Sequence, residues 1–214
     1  LCTKNLPEPA VVPSKNFNNV LYTGTGSSNA ISVGFQPDWV WIKMRTQTYD
    51  HNIFDSVRGA GGKYLYTNAT DAEATNAERL KTFDSNGFTV GTQDAINENT
   101  HTFVAYNWKA NGGASSVGSN TNGSINTTDT SANSDAGYSI STYTGNATSG
   151  ATIGHGLSKA PEVIIVSVLS QAGGHNMYHT AWGSAAKTAP LQSYEPSYTN
   201  ANIWNSTAPG ASVF

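Results

Sequence analysis

Residues 17–24 read FNNVLYTG, and a similar stretch, YSISTYTG, returns at residues 138–145, an offset of 121 residues (138 − 17). A longer match follows. GFQPDWVWIK at residues 34–43 returns as GLSKAPEVIIV at residues 156–166, with the two prolines 124 residues apart (161 − 37). Self-similarity at a nearly fixed spacing is typical of repeated structural modules, so the sequence predicts two related copies of one module.

Short β-type runs bounded by Gly, Pro, Asn or Asp follow one another through both copies, which predicts an all-β, antiparallel β-sandwich. WVWI at residues 39–42 and VIIVSVL at residues 163–169 are apolar on both faces, as expected of central strands. In FVAYNW at residues 103–108, the even-numbered side chains are expected to form the apolar stripe. One short helix is predicted over residues 72–80, because TDAE at residues 70–73 fits a capping box.

The predicted organisation has four segments. Residues 1–16 form a proline-containing linker, and residues 17–110 form the first β-sandwich repeat, here the first unit. Residues 111–136 are a low-complexity linker or a polar hairpin, and the hairpin around residues 123–125 is favoured. Residues 137–214 form the second repeat, here the second unit, which lacks a counterpart of the last strand of the first. We expect that a continuation of the chain or another chain supplies this strand, because an open sheet edge invites pairing.

Composition narrows the function classes. Charged residues make up only 12% of the chain, the net charge is −3 and the Lys and Arg residues are scattered, so a nucleic-acid partner is not expected. No apolar run reaches the roughly 18 residues of a membrane helix, so membrane insertion is not expected. Cys2 is the only cysteine, which excludes an internal disulfide and leaves an intermolecular one open.

The polar residues give no clear catalytic or metal site. A glycosidase needs two carboxyls held across a sugar cleft, and the acidic residues show no spacing that suggests such a pair. The candidates for that pair are Asp38, Asp50, Asp55, Glu73 and Asp84. His175 and His179, together with His155, are considered as metal ligands. In a strand, His175 and His179 would be roughly 13 Å apart, which is too far for one ion. We therefore predict no catalytic residues, no metal and no cofactor, and we expect Arg58 to pair with Asp55.

Aromatic side chains are the better candidates for binding, because their rings stack on sugar faces and anchor protein interfaces. Most of them fall in strand patterns and are expected in the core. The candidate ligand-binding residues are the tyrosines of turn-rich stretches, namely Tyr64, Tyr66, Tyr194 and Tyr198.

A set of motifs resembles a repeat of virion proteins from tailed, often marine, bacteriophages. They are LYTG (21–24), VGFQPD (33–38), WIK (41–43), DSVRGA (55–60), FDSNGFTV (83–90), YNWKA (106–110), YTGN (143–146) and GHGL (154–157). The lead LCTKNLPEP at residues 1–9 resembles the segment in which a SPRY-like lectin sandwich ends in such proteins. The second unit departs from the pattern, because AWGSAA at residues 181–186 stands where the first has DSVRGA.

The resemblance implies a non-enzymatic virion structural protein, either a tail fibre or a surface-exposed adhesion component. Its partners would be other virion proteins and further copies of itself, with a host-surface glycan as a candidate ligand. Its location would be the tail fibre or the particle surface, outside the cell. Two alternatives stay open, a capsid decoration protein and a secreted bacterial carbohydrate-binding or adhesin module.

Overall fold

The computed structural model describes residues 11–110 and 118–214. Within these residues the chain forms fifteen strands, one short α-helix, α1 (Asp94–Asn97), and 3-10 turns that include Pro13–Lys15 and Thr180–Trp182. The strands are β1 (Phe17–Thr23), β2 (Asn29–Ser32), β3 (Trp39–Met44), β4 (Asn52–Asp55), β5 (Lys63–Tyr66), β6 (Ala74–Thr75), β7 (Leu80–Asp84), β8 (Gly87–Val90), β9 (Thr102–Trp108), β10 (Thr127–Asn133), β11 (Tyr138–Tyr143), β12 (Val163–Ser167), β13 (His175–His179), β14 (Lys187–Pro190) and β15 (Tyr198–Thr199). Every pairing between these strands is antiparallel, so the predicted all-β, antiparallel class is confirmed.

The first unit contains a six-stranded sheet in the order β1-β9-β3-β4-β5-β6. Although β9 comes last in this unit, it lies between β1 and β3 and pairs with both along most of its length. A three-stranded sheet in the order β2-β8-β7 completes the unit.

The two sheets of the first unit share one hydrophobic core. The buried side chains come from strands of both sheets and from α1, which shows that the sheets pack face to face in the manner of a sandwich. Fully burying an aliphatic or phenyl side chain contributes about 1.5–3 kcal/mol, so this cluster is the main source of stability. Its largest fully buried members are Phe54, Phe88, Phe103, Ile42, Met44, Leu80 and Ile96.

The alternation predicted along β9 is correct, but the buried face is the other one. Phe103, Ala105 and Asn107 are fully buried, whereas the even-numbered side chains are half-buried or exposed. The core accepts the polar Asn107 because its amide donates to the carbonyls of Asn18 (3.1 Å) and Ala105 (3.0 Å). A buried amide with bonded donors avoids much of the cost of desolvation.

The predicted helix over residues 72–80 is wrong. The segment instead holds β6, a turn and the start of β7. Asn76 organises the turn, since its side chain accepts from the N–H of Glu78 (2.9 Å) and its carbonyl accepts from the N–H of Arg79 (2.9 Å). An asparagine that bonds its neighbouring backbone competes with helix formation, and here it turns the chain between two strands.

The second unit contains a four-stranded sheet in the order β12-β13-β14-β15 and a two-stranded β10–β11 ribbon. Strand β10 lies inside the segment predicted as a linker or hairpin, a few residues after the expected turn at residues 123–125. Cys2 and most of the predicted N-terminal linker lie outside the described residues.

Strand pairing in the second unit follows that of the first at an offset of 124 residues. The β3–β4, β4–β5 and β5–β6 registers recur residue for residue as the β12–β13, β13–β14 and β14–β15 registers. For example, Lys63 lies opposite Thr75, and Lys187 lies opposite Thr199. A duplicated module predicts such a shared register.

The β2–β8 pairing has a counterpart as well. Asn29 lies opposite Val90 in the first unit. At the same offset, Ile153 and Phe214 exchange backbone hydrogen bonds of 2.9 and 3.0 Å. Gly154 lies opposite Val213 in the adjoining bridge. Residues 153–155 therefore take the place of β2 in the second unit.

Candidate functional site

Tyr64 and Tyr66, two of the predicted binding residues, lie together on β5 beside Arg79. Their rings make an edge-to-face contact with centroids 5.2 Å apart. The guanidinium carbon of Arg79 lies 3.7 Å from the centroid of Tyr64 and 5.3 Å from that of Tyr66. A cation over a desolvated ring face contributes about 2 kcal/mol, so the three side chains form one packed cluster.

Arg79 is a buried cation that is held mainly by neutral groups. Its Nη2 donates to the Tyr66 hydroxyl (2.8 Å), and its Nη1 donates to the Asn52 side-chain oxygen. Within the described residues, Nε has no hydrogen-bond partner and no carboxylate forms an ion pair with the guanidinium. The rings and hydroxyl of β5 therefore compensate much of the cost of burying this charge.

The backbone beside this cluster joins the two units. The backbone carbonyl of Tyr66 lies 2.7 Å from Nε2 of His175, while Nδ1 of this histidine lies 2.7 Å from the Ser167 hydroxyl. Backbone hydrogen bonds nearby run from Gly173 to Thr70 (2.8 Å) and from residue 73 to residue 169 (2.9 Å). Tyr64 and Tyr66 are only partly exposed, and the pair meets the second unit through the backbone carbonyl of Tyr66.

Burial and the neighbouring charge act in opposite directions on Tyr66. Burial raises the pKa of its hydroxyl, and the positive charge of Arg79 opposes the rise. The net shift is upward, so the hydroxyl keeps its proton at neutral pH and accepts the hydrogen bond from Arg79.

Tyr194 and Tyr198 lie elsewhere, on the β14–β15 side of the second unit. Tyr194 follows β14 in a turn-rich segment and is 98% exposed. Tyr198 is 44% exposed on β15, at the end of its sheet. Among the described residues, no aromatic contact joins either ring to Tyr64 or Tyr66. The four predicted tyrosines therefore form a half-buried pair and two exposed side chains.

The acidic residues considered for catalysis are held in local contacts. Asp38 accepts from the Ser56 hydroxyl (2.7 Å), and the buried Asp55 pairs with Arg58, as predicted. Arg58 also pairs with Glu73 at 2.9 Å. The arrangement ties β4 to the loop that follows β5.

The histidines considered as metal ligands take separate hydrogen bonds. Nδ1 of His155 accepts from the N–H of Leu157 (3.0 Å), and its Nε2 lies 3.2 Å from the carbonyl of Gly210. His179 accepts from the N–H of Ala181 (3.0 Å). In the ranges 11–110 and 118–214, no group of three or more His, Cys, Asp or Glu side chains is placed to hold a metal ion.

Sequence reasoning missed Arg79 as the centre of the tyrosine pair. In a chain with only 12% charged residues, an arginine that follows a tyrosine-rich strand was the available signal. The contact could not be predicted because Arg79 and β5 meet only after the turn that replaces the predicted helix.

Comparison with known proteins gives a family without an assigned role. The family described as "Domain of unknown function (DUF7483)" matches residues 12–214, and the chain belongs to it. No curated protein and no solved structure matches the chain. Among the described residues, no helix has the length and apolar character needed to cross a membrane.

Proposed function

We propose that this chain is a non-enzymatic structural component of a tailed-phage virion, exposed on the particle as a tail fibre or adhesion protein, and that it contacts host-surface glycan. The sequence motifs that resemble phage virion repeats support the location. The observation that carries the glycan contact is the exposure of Tyr194, at 98%, and of Tyr198, at 44%. A tyrosine ring outside the core is free to stack on a sugar face, while its hydroxyl bonds to a sugar hydroxyl.

A surface of this kind binds each sugar weakly. One or two exposed rings give a shallow contact, and several copies on one particle raise the effective affinity by avidity. Tyr64 and Tyr66 have a different role in this proposal, since their side chains pack on Arg79.

The glycan contact is tested by binding the purified chain to an array of immobilised lipopolysaccharides and capsular polysaccharides from host bacteria. We expect the double variant Tyr194→Ala/Tyr198→Ala to lose about tenfold in apparent affinity, equivalent to about 1.4 kcal/mol. Tyr106→Ala is the matched control, because Tyr106 is an exposed tyrosine on the outer face of the first unit. Equal binding by the double variant, or no binding by the parent chain, would refute the glycan contact.

The virion location is tested separately by immunogold electron microscopy with an antibody against residues 17–110. Gold on fibres or on the outer surface of particles is the expected result. Particles without label would refute the location, whatever the glycan array shows.

A further inference from the structure

In the first unit, strand β9 fills a slot between two other strands. The N–H of Gly24 donates to His101 (2.8 Å), in line with the β1–β9 register. On the other side, the N–H of Arg45 donates to Thr102 (2.8 Å), in line with the β3–β9 register. Since backbone groups alternate between the two edges of a strand, the even-numbered residues of β1 and the odd-numbered residues of β3 face β9.

Strand β12 corresponds to β3, and none of the described strands pairs with its equivalent edge. The N–H of Thr180 donates to Glu162 (3.0 Å), so the even-numbered residues of β12 face β13. Its odd-numbered residues, Val163, Ile165 and Ser167, therefore direct their N–H and C=O groups to the opposite edge. No described residue bonds to these groups.

Strand β11, which corresponds to β1, pairs only with β10 among the strands that the structure describes. The N–H of Thr130 on β10 donates to Gly118 (2.8 Å) and so points away from β11. Its partner in register, Ser141, must then direct its own backbone groups away from β10. The Ser141 side chain faces the carbonyl of Gly154, in the segment that corresponds to β2. With its side chain on this inner face, Ser141 presents its backbone groups on the edge where β1 meets β9.

Apolar side chains along this part of the chain are exposed. Met44 on β3 lies opposite Phe103 of β9 and is 1% exposed, whereas its counterpart Val168 is 38% exposed. Val163 and Ile165 on β12 are 46% and 40% exposed. Exposed apolar residues beside unpaired backbone groups are typical of a sheet edge that can pair with an additional strand.

We propose that the slot between β11 and β12 is a binding site for an extended peptide strand with the alternation of β9, which would run antiparallel to both neighbours. The occupant has small or apolar residues at alternate positions, like Phe103 and Ala105, and no proline where a backbone donor is needed. It comes from a polypeptide segment outside the described residues, because β9 is committed to the centre of the first sheet. In a second copy of the chain, β9 is likewise paired within its own sheet, so it does not supply the occupant. The site is independent of the glycan contact.

The test uses the whole 214-residue chain and a synthetic peptide with the sequence of residues 100–110, THTFVAYNWKA. We expect one peptide to bind per chain and to slow amide hydrogen exchange at Val163, Ile165 and Ser167 by about tenfold or more. A control peptide with aspartate in place of Phe103 and Ala105 should have no such effect.

Two variants of Ile165 distinguish peptide binding by strand addition from peptide binding to an apolar patch. Ile165→Pro removes a donor that points into the slot but leaves the β12–β13 bonds in place, as prolines on edge strands do. Ile165→Thr keeps the donor and the β-branched shape. We expect the proline variant to bind the peptide about tenfold more weakly than the threonine variant, the effect of about one lost hydrogen bond.

Three results would overturn the proposal. The first is absence of peptide binding to the parent chain. The second is equal binding by the proline and threonine variants. The third is slow hydrogen exchange of the three β12 amides in the absence of peptide. If the protection is the same at all protein concentrations, the edge is closed within the chain. If the protection rises with protein concentration, the edge is paired with a second copy.

Discussion

Replacing Asp55 by alanine should lower the free energy of unfolding of the first unit by more than the loss of one small side chain would suggest. Asp55 is buried, and its carboxylate accepts from the backbone N–H of Arg58 (2.8 Å) and pairs with the guanidinium of the same residue. Without Asp55, the buried guanidinium keeps only its bond to Glu73 and a 3.3 Å bond to the carbonyl of Ile53. Removing one partner of a buried ion pair costs about 3–5 kcal/mol, because the remaining charge is desolvated without full compensation.

The measurement is urea unfolding at neutral pH, followed by tryptophan fluorescence and circular dichroism. A loss of about 3–5 kcal/mol is a large part of the stability of about 5–15 kcal/mol typical of a native protein. Lys81→Ala is the matched control, since Lys81 and Glu78 form an ion pair of partly exposed side chains. The control should show no resolvable loss, because exposed pairs are screened by water and salt.

A second variant separates the charge from the side-chain volume. Asp55→Leu combined with Arg58→Met removes both charges while keeping apolar bulk, and it should recover much of the stability lost in Asp55→Ala. A loss below about 1 kcal/mol in Asp55→Ala would refute the argument, since it would mean that the Arg58 charge is not desolvated at this site.

Two further predictions concern single residues. Burial lowers the pKa of His155 below its ordinary value of 6.5, an effect that its bond to a backbone carbonyl opposes. The unfolded chain therefore takes up a proton first as the pH falls. The contribution of neutral His155 to stability is present above about pH 6.5 and is lost as the pH falls through the lower folded pKa, so the parent should lose more stability than His155→Gln between pH 7.5 and 5. Gly62→Ala should destabilise by more than the roughly 1 kcal/mol of left-handed backbone strain, because its φ is +81° and a Cβ would lie 1.8 Å from the Asn76 carbonyl oxygen. Urea unfolding measures both effects.

Each of these predictions has its own control and contrary result. Equal pH dependence in the parent and in His155→Gln would show that this imidazole is not kept neutral by burial. For Gly62, the control is Gly61→Ala, because Gly61 also has positive φ, at +88°, but open space around it. Equal losses in the two glycine variants would mean that the backbone near Asn76 gives way without cost.

Local sequence patterns predicted the fold class. Alternating side chains, turn residues and two similar stretches predicted short antiparallel strands, and the structure has them near the expected positions. They also predicted the contact of Arg58 with Asp55, which is three residues away in sequence. Such features depend on neighbours within a few residues, which is the range that a sequence pattern describes.

Long-range contacts determined the structural features that local sequence patterns did not predict. The helix predicted over residues 72–80 had adequate local propensity, but the chain there is drawn into β6 and β7, and Arg79 packs beneath Tyr64. Propensity is a weak preference that tertiary packing readily overrides. The tyrosines chosen as one group likewise separated into a half-buried pair and two exposed rings.

The sequence by itself determined the all-β class and the spacing of the similar stretches, because alternation and turn chemistry are written in adjacent residues. Only the tertiary structure decided which face of β9 is buried, since both faces of that strand carry apolar side chains. It also decided that one edge of β11 and one edge of β12 stay unpaired among the described residues. Strand pairing joins segments that are far apart in the chain, so it depends on how the whole chain folds and not on neighbouring residues.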